Sequence, residues 1–166
     1  MNENIYDQIY SSIGKYDLTV IRGHLIIEEL LNRVIKALAE HSTYIFKQQI
    51  KFSTKVALVR AFDVSGKSEI WDLILLFNKL RNHIAHDLPL KREQKKLDSF
   101  LNHPAIKNNI KSALPEEITK DLDCHGQDFL NLNMALMFIF GFLSGRIKDL
   151  TEPTLIKGST PIKGAL

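Results

Sequence analysis

Arg81, Asn82 and His86 stand in the segment Phe77-Asn-Lys-Leu-Arg-Asn-His-Ile-Ala-His-Asp87 and carry the residue types that phosphate chemistry needs. An imidazole titrates near pH 6.5 and can accept or donate a proton at neutral pH, an effect typically worth about 10²–10⁴-fold in rate. A guanidinium offers planar, permanently charged donors that match phosphate oxygens.

The three residues sit at the end of an amphipathic helix expected from about Ser68 to His86, with Ile70, Leu73, Ile74, Phe77, Leu80 and Ile84 on its apolar stripe and Pro89 marking its end. At about 100° per residue, Arg81 lies roughly 50° from the centre of that stripe. A permanent charge is rarely buried alone, so Arg81 needs either an internal carboxylate, for which Glu28, Glu29 and Asp72 are available, or a bound anion. Asn82 and His86, four residues apart, share one face, and in the last turn the His86 imidazole can be reached by solvent or substrate. His86 also has a plainer role open to it, as a partial charge at the negative end of the helix dipole. His83 points away from both and is expected on the surface.

The sequence Arg, four residues, His, with Asn directly after the Arg and the whole at a helix end, resembles the motif of the HEPN superfamily, all-α proteins of which many cut RNA without a metal. The order of a long amphipathic helix, a shorter one and a motif helix ending in Ala-His is similar to that family too. Through the first ninety residues the layout is also similar to the mannitol operon repressor family, a HEPN-like group of presumed regulators. The resemblance spans roughly residues 15–145. It implies a HEPN-like helical bundle and a homodimer in which two motifs meet across the two-fold axis. It also implies His86 as general acid or base, Arg81 on the phosphate, Asn82 orienting the phosphate or the imidazole, and no cofactor. The substrate so implied is RNA, whose 2′-hydroxyl beside each phosphate is its own nucleophile; DNA, lacking that hydroxyl, would be bound and not cut. Such a nuclease is implied to act as a toxin or phage-defence effector, held in check by an antitoxin or other regulatory partner. A catalytically idle dimeric regulator or protein-binding module is the alternative. In the toxins paired with a nucleotidyltransferase antitoxin the motif continues to a Tyr two residues beyond the His; here Leu88 stands there, and control through such a tyrosine does not carry over.

Lys91, Arg92, Lys95 and Lys96 follow the motif, four positive charges against the one negative charge of Glu93. Such a run is either a solvated helix face or a sequence-blind grip on an RNA backbone. His24 and Glu28 have the i,i+4 spacing a metal can use, but no third ligand accompanies them, and no metal is expected. Cys124 and His125 are adjacent, so their side chains diverge and make no nucleophilic dyad. No glycine loop for phosphate, paired-carboxylate site, serine triad or helix-turn-helix reader is present.

The elements that must hold these residues read as helix nearly throughout. A helix from about Asp17 to His41 carries Val20, Leu25, Ile27, Leu30, Leu31, Val34, Ile35 and Leu38 at three- and four-residue spacing. Gly23 within it costs about 1 kcal/mol relative to Ala. A shorter helix, Ser53 to Phe62, carries Val56, Leu58, Val59 and Phe62. A charged helix is expected over 91–101, Pro104 and Pro115 read as first-turn prolines of short helical pieces, and a last helix spans Gln127–Ile147. Thr43–Phe46 is the one short strand candidate. These elements predict an all-α bundle with a long antiparallel helix pair and shorter flanking helices. They form one domain over residues 1–150, followed by a flexible tail, 151–166, that holds two prolines and two glycines.

With 166 residues, 45% hydrophobic and 25% charged, the chain is long enough for one core and too apolar for wholesale disorder. A net charge of +3 permits a nucleic-acid partner without requiring one. The single cysteine excludes an internal disulfide and fits a reducing, cytoplasmic setting. The start of the chain lacks the basic-then-apolar order of a signal peptide. The apolar stretch Phe129–Gly145 falls short of the roughly 20 residues of a spanning helix and is expected to be a core helix, with no membrane partner. Trp71 and the phenylalanines of that helix are expected in the core or in a dimer interface.

Overall fold

The computed structural model describes residues 15–86, 93–109 and 124–152. Seven helices lie in this part: α1 (Lys15–Leu38), α2 (Ser42–Lys47), α3 (Phe52–Ala61), α4 (Ser68–His86), α5 (Glu93–Leu101), α6 (Pro104–Asn109) and α7 (Cys124–Thr151). No strand occurs among the described residues. The chain is all-α, as its period-3.6 patterning requires.

The directions of the long helices follow from the side chains that meet. Tyr16 meets Phe129 edge-on with ring centroids 5.6 Å apart. One helical stretch further along both chains, Leu136 lies over Gly23. The two longest helices, α1 and α7, therefore run in the same direction. The motif helix α4 runs against α7, because Trp71 packs on Phe142 at 5.2 Å while Phe77 and Leu136 meet over Gly23. α4 is thus antiparallel to both long helices, while the two longest helices are parallel to each other.

Each helix buries the stripe its spacing dictates. On α7 Leu132, Ala135, Leu136, Ile139 and Leu143 are buried at i, i+3, i+4, i+7 and i+11. On α4 Ile70, Trp71, Leu73, Ile74, Phe77 and Leu80 are buried, and on α1 Val20, Ile27, Leu31, Val34 and Ile35. The described helices share one hydrophobic core. Each fully buried Leu, Ile or Phe contributes about 1.5–3 kcal/mol. The approach is close at Gly23: a Cβ there would stand 2.8 Å from a methyl of Leu136 and 3.3 Å from Phe77, so the ends of those side chains would have to shift.

Several expectations need correction. The strand candidate Thr43–Phe46 is the short helix α2, because four residues of alternation have no second strand to pair with. Leu25 is 60% exposed, since at about 100° per residue it lies some 140° from Val20 and outside the buried stripe. Phe62 is 57% exposed as the residue that ends α3. His83 is half-buried, not a surface residue. The last helix is longer at both ends than its apolar spacing predicts. Its stretch Gly126–Thr151 is long and apolar enough to cross a membrane by length and composition, although one of its faces builds the core. Thr151, expected in the tail, closes α7 with its hydroxyl donating to the Ile147 carbonyl at 2.9 Å. Pro115, Leu88, Pro89 and the tail from residue 153 lie outside the described residues.

The turn between α3 and α4 is held by one carboxylate. Asp63 accepts the Trp71 indole N–H at 2.7 Å, the Ser65 hydroxyl at 2.7 Å and the Ser65 backbone N–H at 3.1 Å. Arg146 of α7 lies 3.4 Å from the same group. This cluster fixes where α4 begins and ties it to α7. The α3–α4 turn is short, so α4 runs back along α3, with Arg60 pairing to Asp72 at 2.8 Å near the turn. The far end of α4 is thereby brought beside the first residues of α3.

Candidate functional site

Where the end of α4 meets the start of α3 and the middle of α1, an open cleft of about 370 Å³ is lined by His24, Glu28, Lys51, Phe52, Ser53, Asn78, Arg81 and Asn82. Two of the three residues singled out by the motif, Arg81 and Asn82, line it. The third, His86, is the last residue of α4, one turn beyond Asn82; its side chain lies outside the described residues.

Arg81 is half-buried, and each carboxylate considered as its internal partner is engaged elsewhere. Glu28 takes Lys55 at 2.7 Å, Glu29 takes Arg33 at 3.0 Å and Asp72 takes Arg60. The guanidinium instead donates through Nη1 to the side-chain carbonyl of Asn82 at 3.1 Å. Arg81 pairs with no carboxylate among the described residues, so most of its donors face whatever enters the cleft.

His24 comes from the apolar stripe of α1 and is 5% exposed. Its ring stacks on Phe52 with centroids 4.3 Å apart, and Nε2 lies 2.9 Å from Asn78 Oδ1. Burial pushes its pKa below the usual 6.5. The Asn78 hydrogen bond and Glu28 act the other way, while the charges of Arg81 and Lys55 add to the lowering. The cleft therefore contains a neutral imidazole near pH 7. Opposite, α3 begins at Lys51 without a side-chain cap, and its first N–H groups add partial positive charge on the wall formed by Lys51 and Ser53. Lys51, Arg81 and the helix start outweigh Glu28, whose charge is already met by Lys55.

The i,i+4 pair His24 and Glu28, considered for a metal, is committed to Asn78 and Lys55. Among the described residues no group of three or more His, Cys, Asp or Glu could hold a metal ion. Lys95 and Lys96 are exposed on α5, which packs against α4 through Phe100 and Phe77 at 5.3 Å. Lys91 and Arg92 lie outside the described residues, and so do the side chains of Cys124 and His125. Trp71 belongs to the core.

Reading the motif alone missed Asn78, Lys51 and Ser53. A signal for Asn78 was present, since 78, 81 and 82 have the i, i+3, i+4 spacing of one helix face. Lys51 and Ser53 had none, because only the return of α4 along α3 brings them to the site. Compared with known proteins, the chain matches no family model, no curated protein and no solved structure.

Proposed function

We propose that this protein is a metal-independent endoribonuclease of HEPN type, a cytoplasmic toxin or phage-defence effector that works as a homodimer and is restrained by an antitoxin or regulatory partner. The observation that supports it most is Arg81, which opens onto a polar cleft while Glu28, Glu29 and Asp72 are held by Lys55, Arg33 and Arg60. In this reading Arg81 binds the non-bridging phosphate oxygens and Asn82 orients the group. The 2′-oxygen loses its proton, attacks phosphorus and expels the 5′-oxygen. His86 acts as the general acid or base in that exchange. The products are a 2′,3′-cyclic phosphate and a 5′-hydroxyl. Lys91, Arg92, Lys95 and Lys96 hold the RNA backbone on either side.

The test is incubation of the purified full chain with single-stranded RNA in excess chelator, followed by analysis of the ends. Cleavage to 2′,3′-cyclic phosphates that disappears in Arg81→Ala and in His86→Ala is the expected result. RNA left whole by the wild-type chain overturns the nuclease and leaves the HEPN-like regulator or protein-binding module.

A further inference from the structure

We infer that Asn78, turned by His24, is a further phosphate-contacting residue, so that Asn78, Arg81 and Asn82 form one oxyanion receptor along a single face of α4. The inference rests on the reading that the cleft takes an RNA phosphate, and it adds two residues that the Arg–His motif does not contain.

The argument is one of donors and acceptors. A side-chain amide has a carbonyl oxygen that only accepts and an NH₂ that only donates. The carbonyl of Asn78 faces His24 Nε2 at 2.9 Å, so Nε2 carries the proton and the amide oxygen is used. The NH₂ of Asn78 is therefore turned the other way. Asn82 is fixed by the same logic, its carbonyl accepting from Arg81 Nη1 at 3.1 Å. At about 100° per residue, positions 78, 81 and 82 fall within an arc of roughly 100° on α4, and all three line the cleft. Both amide oxygens on that face already accept from a partner within the protein, which turns each NH₂ toward the cleft. What remains for a ligand is two amide NH₂ groups and most of a guanidinium, a set suited to phosphate oxygens and unsuited to a cation.

His24 is built to hold this arrangement. Its burial and its stacking on Phe52 at 4.3 Å restrict the ring, and with it the amide it orients. It acts through Asn78 and is a positioning residue. Its role makes a chemical distinction between two substitutions: Gln can place an amide N–H where Nε2–H stands, whereas Leu keeps the apolar packing and removes the donor.

The test is titration of inorganic phosphate into the full chain, with the side-chain NH₂ resonances of Asn78 and Asn82 followed by NMR and folding monitored by circular dichroism. Both resonances are expected to shift in the wild type and in His24→Gln. Asn78→Asp, isosteric but with a carboxylate aimed at the anion, is expected to weaken phosphate binding about tenfold or more, and His24→Leu to do so with the fold retained. Should His24→Leu unfold, Asn78→Asp and His24→Gln carry the test. Phosphate bound as tightly by Asn78→Asp as by the wild type overturns the receptor. RNA cleavage in chelator, read in parallel, separates the two proposals. Intact RNA beside Asn78-dependent phosphate binding removes the nuclease and leaves the receptor. Undiminished cleavage by Asn78→Asp does the reverse.

Discussion

The indole N–H of Trp71 donates to the Asp63 carboxylate at 2.7 Å, joining the first turn of α4 to the turn before it. The tryptophan is 1% exposed and the carboxylate side chain 4%, so both polar groups depend on each other and on Ser65 and Arg146. Burial works to raise the pKa of Asp63. The hydrogen bonds from Trp71 and Ser65, with the charge of Arg146, outweigh it and hold the carboxyl below its usual 3.8. Asp63→Ala should destabilise the protein by about 2–4 kcal/mol, since it strands a buried indole N–H and leaves Arg146 without this partner. A shift of the urea midpoint at unchanged slope measures it.

The same group sets an acid limit. A carboxyl with a lowered pKa in the folded state contributes stability that is present above the unfolded value near 3.8 and lost as pH falls through the lower folded value. Wild-type stability should fall below about pH 4, and Asp63→Asn should flatten that part of the profile. An identical acid limb in Asp63→Asn would mean that another carboxylate controls it.

His24 gives a second, separate pH effect of the base type. Its pKa is lowered chiefly by burial, opposed by the Asn78 hydrogen bond and by Glu28 and reinforced by Arg81 and Lys55. The unfolded chain then takes up a proton before the folded one does. Stability from the neutral ring is complete above pH 6.5 and declines as pH drops from 6.5 through the folded value. Denaturation midpoints at pH 7.5 and 5 should differ in the wild type and differ less in His24→Gln. Equal losses in both would place the effect at another histidine.

Packing over Gly23 should be intolerant of bulk. A Cβ at this position would stand 2.8 Å from Leu136, so Gly23→Val should cost about 1–3 kcal/mol through overpacking. For Gly23→Ala the gain of about 1 kcal/mol in helix propensity offsets part of the crowding, and the thermal midpoint should move much less. A Val variant as stable as the wild type would show that α1 and α7 can separate at this point without loss.

Lys95 and Lys96 are exposed on α5 and make no contribution to the core. Replacing both with Ala should leave the denaturation midpoint within about 0.5 kcal/mol. If they grip RNA, the slope of log affinity against log salt should become shallower by about 0.7 for each phosphate they neutralise. An unchanged slope assigns them to solvent alone.

The helices of this chain were legible because their spacing is a local property. The apolar stripe of α4 from Ile70 to Leu80, the break over Asp63–Lys67 and the start of α6 at Pro104 all follow from neighbours within a turn or two. Arg81 was legible as an anomaly for the same reason, a charge beside a core stripe. Local patterning could not say which carboxylates would be taken by other cations, and that question decides whether Glu28 or Asp72 is left for Arg81. It was settled by distances between α1, α3 and α4, where Lys55 reaches Glu28 and Arg60 reaches Asp72. Nor could spacing show that α1 and α7 run parallel, that His24 would find Asn78 54 residues away, or that Lys51 and Ser53 would face the motif. The sequence by itself determined the helical class and marked Arg81, Asn82 and His86 by residue type and spacing, since both are written in composition and period. Only the tertiary structure decided which polar groups satisfy one another and which remain open, because hydrogen bonds and ion pairs are allotted among groups that meet through packing, whatever their separation along the chain.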